Sequence, residues 1–267
     1  MNLAASRVGA ARPSYVFLHG LFGQGRNWTS IARHLEPAGS LLVDLPNHGD
    51  SDWTETFDYD EIADHVAHLL RVGGAVEHPV TLVGHSLGGK VAMRLALRHP
   101  GLVGRLAVID MSPVAARVGD FSHYTEAMLG LDLQHLTDRR QLESTLAPAV
   151  QDERVLGFLM QNLRRRRDGG GYEWRPHLAL LAASLAAVGD WPSTEGLAPF
   201  DGPVLWVAGA ESRYVLPEHA APMRALFPRV RLVTVKGAGH WVHADRPDVV
   251  ADLIGMLGAW PVRAQGV

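Results

Sequence analysis

At 267 residues, with 47% hydrophobic and 20% charged side chains, the chain can bury a sizeable core, and its composition excludes global disorder. A formal charge of −3 gives no argument for a nucleic-acid partner or an anionic membrane surface. Cysteine is absent, which excludes disulfides, thiolate nucleophiles and cysteine-type zinc sites.

The first residues, Met1 to Arg7, lack the apolar stretch of a signal peptide. The longest apolar run, Leu178 to Val188 interrupted by Ser184, is too short to cross a bilayer. A cytoplasmic protein without a membrane span is expected. Tyr15-Val16-Phe17-Leu18 reads as a buried strand, with room before it for one short leading strand, and it runs directly into His19-Gly20-Leu21-Phe22-Gly23. A helix is expected from about Trp28 to Leu35, then a strand Leu41–Val43 closed by Asp44. The loop Leu45 to Asp52 is dense in turn formers. Tyr59 to Arg71 carries Ile62, Val66, Leu69 and Leu70 at helical spacing. Val80-Thr81-Leu82-Val83 is a short apolar strand that ends in Gly84-His85-Ser86-Leu87-Gly88-Gly89, and a helical pattern (Val91, Ala92, Leu95, Ala96) starts at once. Leu106–Ile109 follows as a strand closed by Asp110. This alternation of strands and helices argues for a mostly parallel α/β sheet covered on both faces.

From 114 to 199 the alternation stops, apart from a possible small hairpin around Gly169-Gly170-Gly171. The segment is expected to be a helical cap inserted into a core made of residues 1–113 and 200–267, and Arg164 to Arg167 reads as a solvated helix end. The pattern resumes with the strand Val204–Ala208, a helix over about Pro217 to Leu226, the strand Val230–Val235, a Gly-rich turn to His240, and a helix from Pro247 to about Trp260.

Gly-x-Ser-x-Gly between a strand and a helix has a mechanical sense. The serine sits on a strained turn that lifts its hydroxyl above the sheet edge, and the flanking glycines leave room for the neighbouring strand and helix. The new helix aims free N–H groups at whatever the serine attacks. Two other readings exist. Serine before a helix can be a simple N-cap. Gly84-x-x-x-x-Gly89-Lys90 nearly spells a phosphate-binding loop, but the Ser or Thr that would hold Mg²⁺ is replaced by Val91.

With Ser86 after a central strand, His19-Gly20 at an earlier strand end and His240 after the last strand, the chain resembles the α/β-hydrolase superfamily. Four stretches are similar to the YbfF-type bacterial esterases and their abhydrolase-domain relatives: His19 to Gly23, Asn47 to Ser51, Gly84 to Met93, and Gly237 to Pro247. Ile109-Asp110-Met111-Ser112-Pro113 adds to the likeness. The resemblance implies hydrolysis of carboxylic esters or acyl thioesters of small to medium acyl chains under a helical cap, through an acyl-enzyme on Ser86. It implies His240 as the base, since the family runs nucleophile first and histidine last. The oxyanion donors implied are the N–H groups of Leu87 and of Leu21, with Phe22 the alternative to Leu21. His19 is expected to brace that loop, His85 to pack beneath the elbow, His243 to belong to a helix approach, and Trp206 to be core. The acid departs from the commoner pattern, because Gly209-Ala210-Glu211-Ser212 has Ser212 at the expected acidic position. Asp110 at the previous strand end is favoured as acid, with Glu211 as alternative, and any carboxylate within reach can orient the histidine. No metal site and no cofactor is expected: the site loops carry no His-x-x-x-His with a nearby carboxylate, and no Gly-x-Gly-x-x-Gly follows a strand. A C–C hydrolase or lyase, a cofactor-free perhydrolase, and a catalytically idle small-molecule-binding module are the rival functions on this fold.

Overall fold

The computed structural model describes residues 1–116, 119–134 and 138–262. Its main sheet is built from β1 (Ala5–Val8), β2 (Pro13–Leu18), β3 (Gly39–Val43), β4 (Val80–His85), β5 (Val103–Ile109), β8 (Val204–Gly209) and β9 (Val230–Val235). The strands lie in the order β1-β3-β2-β4-β5-β8-β9, with β1 antiparallel to β3 and every other pair parallel. The short leading strand is thus the one antiparallel edge.

Period-two alternation sorts the strand side chains into two cores. Val16, Leu18, Leu82, Val108 and Trp206 face the helices Tyr59–Val72 and Leu87–Arg98. Phe17, Val83, Ile109, Leu205 and Val207 pack with Ile31 and with Val250 and Ile254 on the helices Thr29–His34 and Pro247–Gly258. Both faces of the central strands are therefore dry, which is why they read as unbroken apolar runs. Trp206 is fully buried, and its indole N–H donates to the Met111 carbonyl at 2.6 Å.

Between β5 and β8 lie the helices Gly119–Leu129, Arg139–Leu146, Glu153–Met160, Leu178–Ala183 and Leu185–Gly189. Within the expected insertion, residues 117–118 and 135–137 lie outside the described residues. The hairpin is present as an antiparallel pair, β6 (Leu163–Arg165) and β7 (Tyr172–Trp174), turned by Gly169 and Gly171 at φ 81° and 82°. The arginine run is accordingly a strand and turn and not the helix end expected, with Arg164 bonded across the pair to Glu173 at 2.7 Å. Charge density alone is blind to that pairing.

Leu142, Leu146, Leu156 and Leu181 of this segment join the core on the Leu87–Arg98 side of the sheet. Cations on that helix hold its far end. Buried Lys90 donates to the carbonyls of Val188, Gly189 and Asp190 at 3.3, 2.7 and 2.7 Å. Arg94, equally buried, grips Asp60 with two bonds and donates to the Ser193 carbonyl at 3.0 Å. Among the described residues no helix is long and apolar enough to cross a membrane.

Candidate active site

Parallel pairing gathers the site. Leu18 is in register with Gly84, and His85 with Ile109, so the residues that follow β2, β4 and β5 emerge side by side at one sheet edge. Ser86 alone separates β4 from the helix that begins at Leu87, and its backbone is left-handed at φ 51° and ψ −119°. A non-glycine residue there is strained by about 1–3 kcal/mol. The turn is held by the Ser86 N–H on the Ile109 carbonyl and the Lys90 N–H on the Ser86 carbonyl, both at 3.1 Å. A Cβ on Gly84 would stand 2.2 Å from the Gly88 carbonyl oxygen, and one on Gly88 2.4 Å from that of His19. The Gly84–Gly89 stretch is therefore a tight elbow with no loop to wrap a phosphate.

His240 lies between β9 and the short helix Val242–Asp245. Its Nδ1 is 2.8 Å from Asp110 Oδ2 and its Nε2 2.9 Å from Ser86 Oγ. An ionised carboxylate only accepts, so the Nδ1 proton faces Asp110, and Nε2 is left to accept from the Ser86 hydroxyl. Asp110 is fully buried, with a left-handed φ of 49°. Besides His240 it accepts from the Gly209 N–H at 3.0 Å and from the Ser212 hydroxyl. The serine at the commoner acidic position thus bonds to the carboxylate that reaches the histidine. Glu211 is not brought to His240: its side chain is exposed, and its backbone N–H is tied to the Ala238 carbonyl at 3.0 Å.

Leu21 lines both of the small cavities that touch Ser86, and Leu87 is the first residue of the elbow helix, where N–H groups lack intrahelical acceptors. Phe22 lines neither cavity; it is left-handed at φ 59°, and its carbonyl accepts from Asn162 Nδ2 at 2.7 Å. Each cavity holds about 10 Å³, about one water.

The other histidines serve geometry. The Leu45 N–H donates to His19 Nε2 at 3.0 Å, which puts the proton on Nδ1, where it meets the Gly20 carbonyl at 2.8 Å. Burial pushes the His19 pKa down to about 4, so the ring stays neutral. His85 is held well below the ordinary histidine range, first by burial and then by His243 and His240; its Nε2 donates to the His240 carbonyl at 2.9 Å. His243 sits within the helix Val242–Asp245, 4.4 Å from His85 and stacked on Trp28 at 4.6 Å.

Two contributors, Tyr214 and Phe158, had no signal of their own in the sequence. Tyr214 stacks on His240 with centroids 3.9 Å apart, and Phe158 and Trp241 wall the cavity containing Ser86. Tyr214 and Phe158 come from loops and helices whose fold-back no local spacing reveals. Among the described residues no group of three or more His, Asp or Glu is placed to hold a metal ion.

Residues 15–253 match the family described as the alpha/beta hydrolase family. The mouse (Mus musculus) protein named sn-1-specific diacylglycerol lipase ABHD11 is 38% identical over 253 residues, covering 92% of this chain and 80% of that protein. Esterase YbfF of Escherichia coli K12 is 30% identical over 236 residues, covering 88% and 89%. A solved marine microorganism esterase superposes with a TM-score of 0.91 at 27% identity, over 96% of this chain and 98% of its own. Sequence, fold and relatives agree, and the chain belongs to the alpha/beta hydrolase family.

Proposed function

We propose that this protein hydrolyses carboxylic esters of small to medium acyl chains through an acyl-enzyme on Ser86, with the segment 114–199 as a cap over the site. The observation that carries the reading is the continuous line Ser86 Oγ, His240, Asp110, at 2.9 and 2.8 Å. As Ser86 Oγ attacks the ester carbonyl carbon, its proton passes to His240 Nε2, and Asp110 stabilises the imidazolium. The carbonyl oxygen becomes an oxyanion within reach of the Leu87 and Leu21 N–H groups, each worth ~2.7–4 kcal/mol. Collapse breaks the ester C–O bond, and the Nε2 proton goes to the departing alcohol oxygen. Water then attacks the acyl-enzyme, again giving a proton to His240, and the acid leaves as Ser86 recovers its hydroxyl. A thioester would follow the same steps with sulfur as the leaving atom. The named esterase and lipase relatives support the ester reading.

Ser86→Ala should lower kcat by ~10⁴-fold or more, and a fluorophosphonate should label Ser86 in the wild type only. Turnover of p-nitrophenyl and acyl-thioester series of graded length measures it. Full activity in the variant, or labelling at another serine, removes Ser86 from the chemistry.

A further inference from the structure

A groove of about 470 Å³ runs between the helix Glu153–Met160 and the segment from Trp241 to Pro247. Asn27, Phe158, Trp241 and His243 line both this groove and the cavity that contains Ser86 and His240. The second cavity on Ser86, walled by Leu87, Met111 and Val188 among others, does not touch His240. That asymmetry assigns the two halves of an ester. The proton taken from Ser86 rests on His240 Nε2 and must reach the leaving oxygen, which therefore lies within about 3 Å of that nitrogen. The alcohol portion then leaves on the side of the cavity lined by His240 and extends toward the groove, while the acyl portion lies on the opposite side, toward Leu87 and Met111.

The groove's charge narrows the alcohol's chemistry. Among the described residues that line it, the one arginine or lysine is Arg154, which bonds Asp245 at 3.0 Å and stands 3.7 Å from Asp152, so two carboxylates face one guanidinium. A leaving group bearing several phosphate charges would meet a net negative wall. The facing rings of Phe158 and Trp241, with centroids 6.4 Å apart, and the uncharged side chains of Asn27 and Ser30 suit hydrocarbon and hydroxyl groups. Resting on the ester-hydrolysis reading, we propose that this groove is the leaving-group subsite. It takes bulky, uncharged alcohols and discriminates against coenzyme A thioesters.

Gly157 offers a clean test. It lines the groove, a Cβ there meets nothing within 4 Å, and leucine favours the helix it belongs to. Steady-state kinetics would compare three butyryl donors: methyl butyrate, the butyrate ester of 1-O-octylglycerol, and butyryl-coenzyme A. In the wild type the octylglycerol ester should show the highest kcat/KM. Gly157→Leu should lower that value at least about tenfold, chiefly through KM. Methyl butyrate turnover and fluorophosphonate labelling of Ser86 should stay unchanged. An equal effect on all three donors, or butyryl-coenzyme A as the preferred donor, would overturn the subsite. No turnover of any donor together with unlabelled Ser86 would overturn the hydrolase reading itself.

Discussion

At the scale of single residues, the acid is the point where this chain parts from the commoner arrangement. Asp110, the acid proposed here, is bonded to Ser212 at the commoner acidic position: the carboxylate comes from the end of β5, and the loop after β8 contributes a hydroxyl to it. Three donors converge on the Asp110 carboxylate, from Gly209, Ser212 and His240. Asp110→Asn keeps the shape but supplies an amide where His240 needs an acceptor, so kcat should fall by ~10³–10⁴ with the fold intact by circular dichroism. Glu211→Gln should cost less than ~10-fold, since that side chain faces solvent. Matched kinetics on the two variants decide the assignment, and the reverse ranking would move the acid to Glu211. Ser86, His240 and Asp110 are each candidates from their motifs and strand ends, and the structure brings the three side chains within hydrogen-bond distance. Tyr214 is no such candidate, because nothing in Arg213-Tyr214-Val215 announces a ring lying flat against a histidine that is 26 positions further on.

Among the elements, the β4 elbow tolerates little added volume. Gly88 has no unusual backbone angle, so its requirement is purely steric: a methyl group would press on the Leu18 and His19 carbonyl oxygens at 2.5 and 2.4 Å. Those atoms belong to the end of β2 and cannot swing aside as a side chain would. Gly88→Ala should destabilise the fold by about 3 kcal/mol or more, beyond ordinary core overpacking. Urea melts of the variant test this, and a loss below 1 kcal/mol would show that helix and strand can separate without cost. The arginine run carries a different lesson. Arg164 to Arg167 matches a helix C-terminus by composition, yet it pairs as β6 because Leu163 and Tyr172 are buried while Arg164 meets Glu173 across the strands.

For the molecule as a whole, buried imidazoles couple stability to pH. His19 and His48 lie 5.1 Å apart and almost without solvent contact. Burial pushes His19 down to about 4; burial, then His19 beside it, takes His48 down to about 3. Both values are below the unfolded range near 6.5, so between pH 6.5 and roughly 4 the unfolded chain binds protons that the native rings refuse. Stability is then fully present above about pH 7 and falls as pH drops, by on the order of 1–2 kcal/mol per ring at pH 5. Thermal melts between pH 7.5 and 5 should show a declining Tm, with a shallower decline in His48→Asn. An unchanged Tm across that span would mean that these rings are protonated in the native state.

What the chain's own order of residues determined was the architecture and the positions proposed to react. Apolar runs bounded by turn formers mark strands whatever their neighbours, and the steric demands of a serine elbow are local enough to be written in five consecutive residues, Gly84 to Gly88. The tertiary structure alone decided what surrounds those positions. The choice between Asp110 and Glu211 depends on which carboxylate the parallel register of β4, β5 and β8 brings beside the histidine loop. The groove exists only because the helix Glu153–Met160 folds back over Trp241, some eighty residues away in the chain. Such contacts depend on the distance between side chains in space, and periodicity along a sequence carries no measure of it.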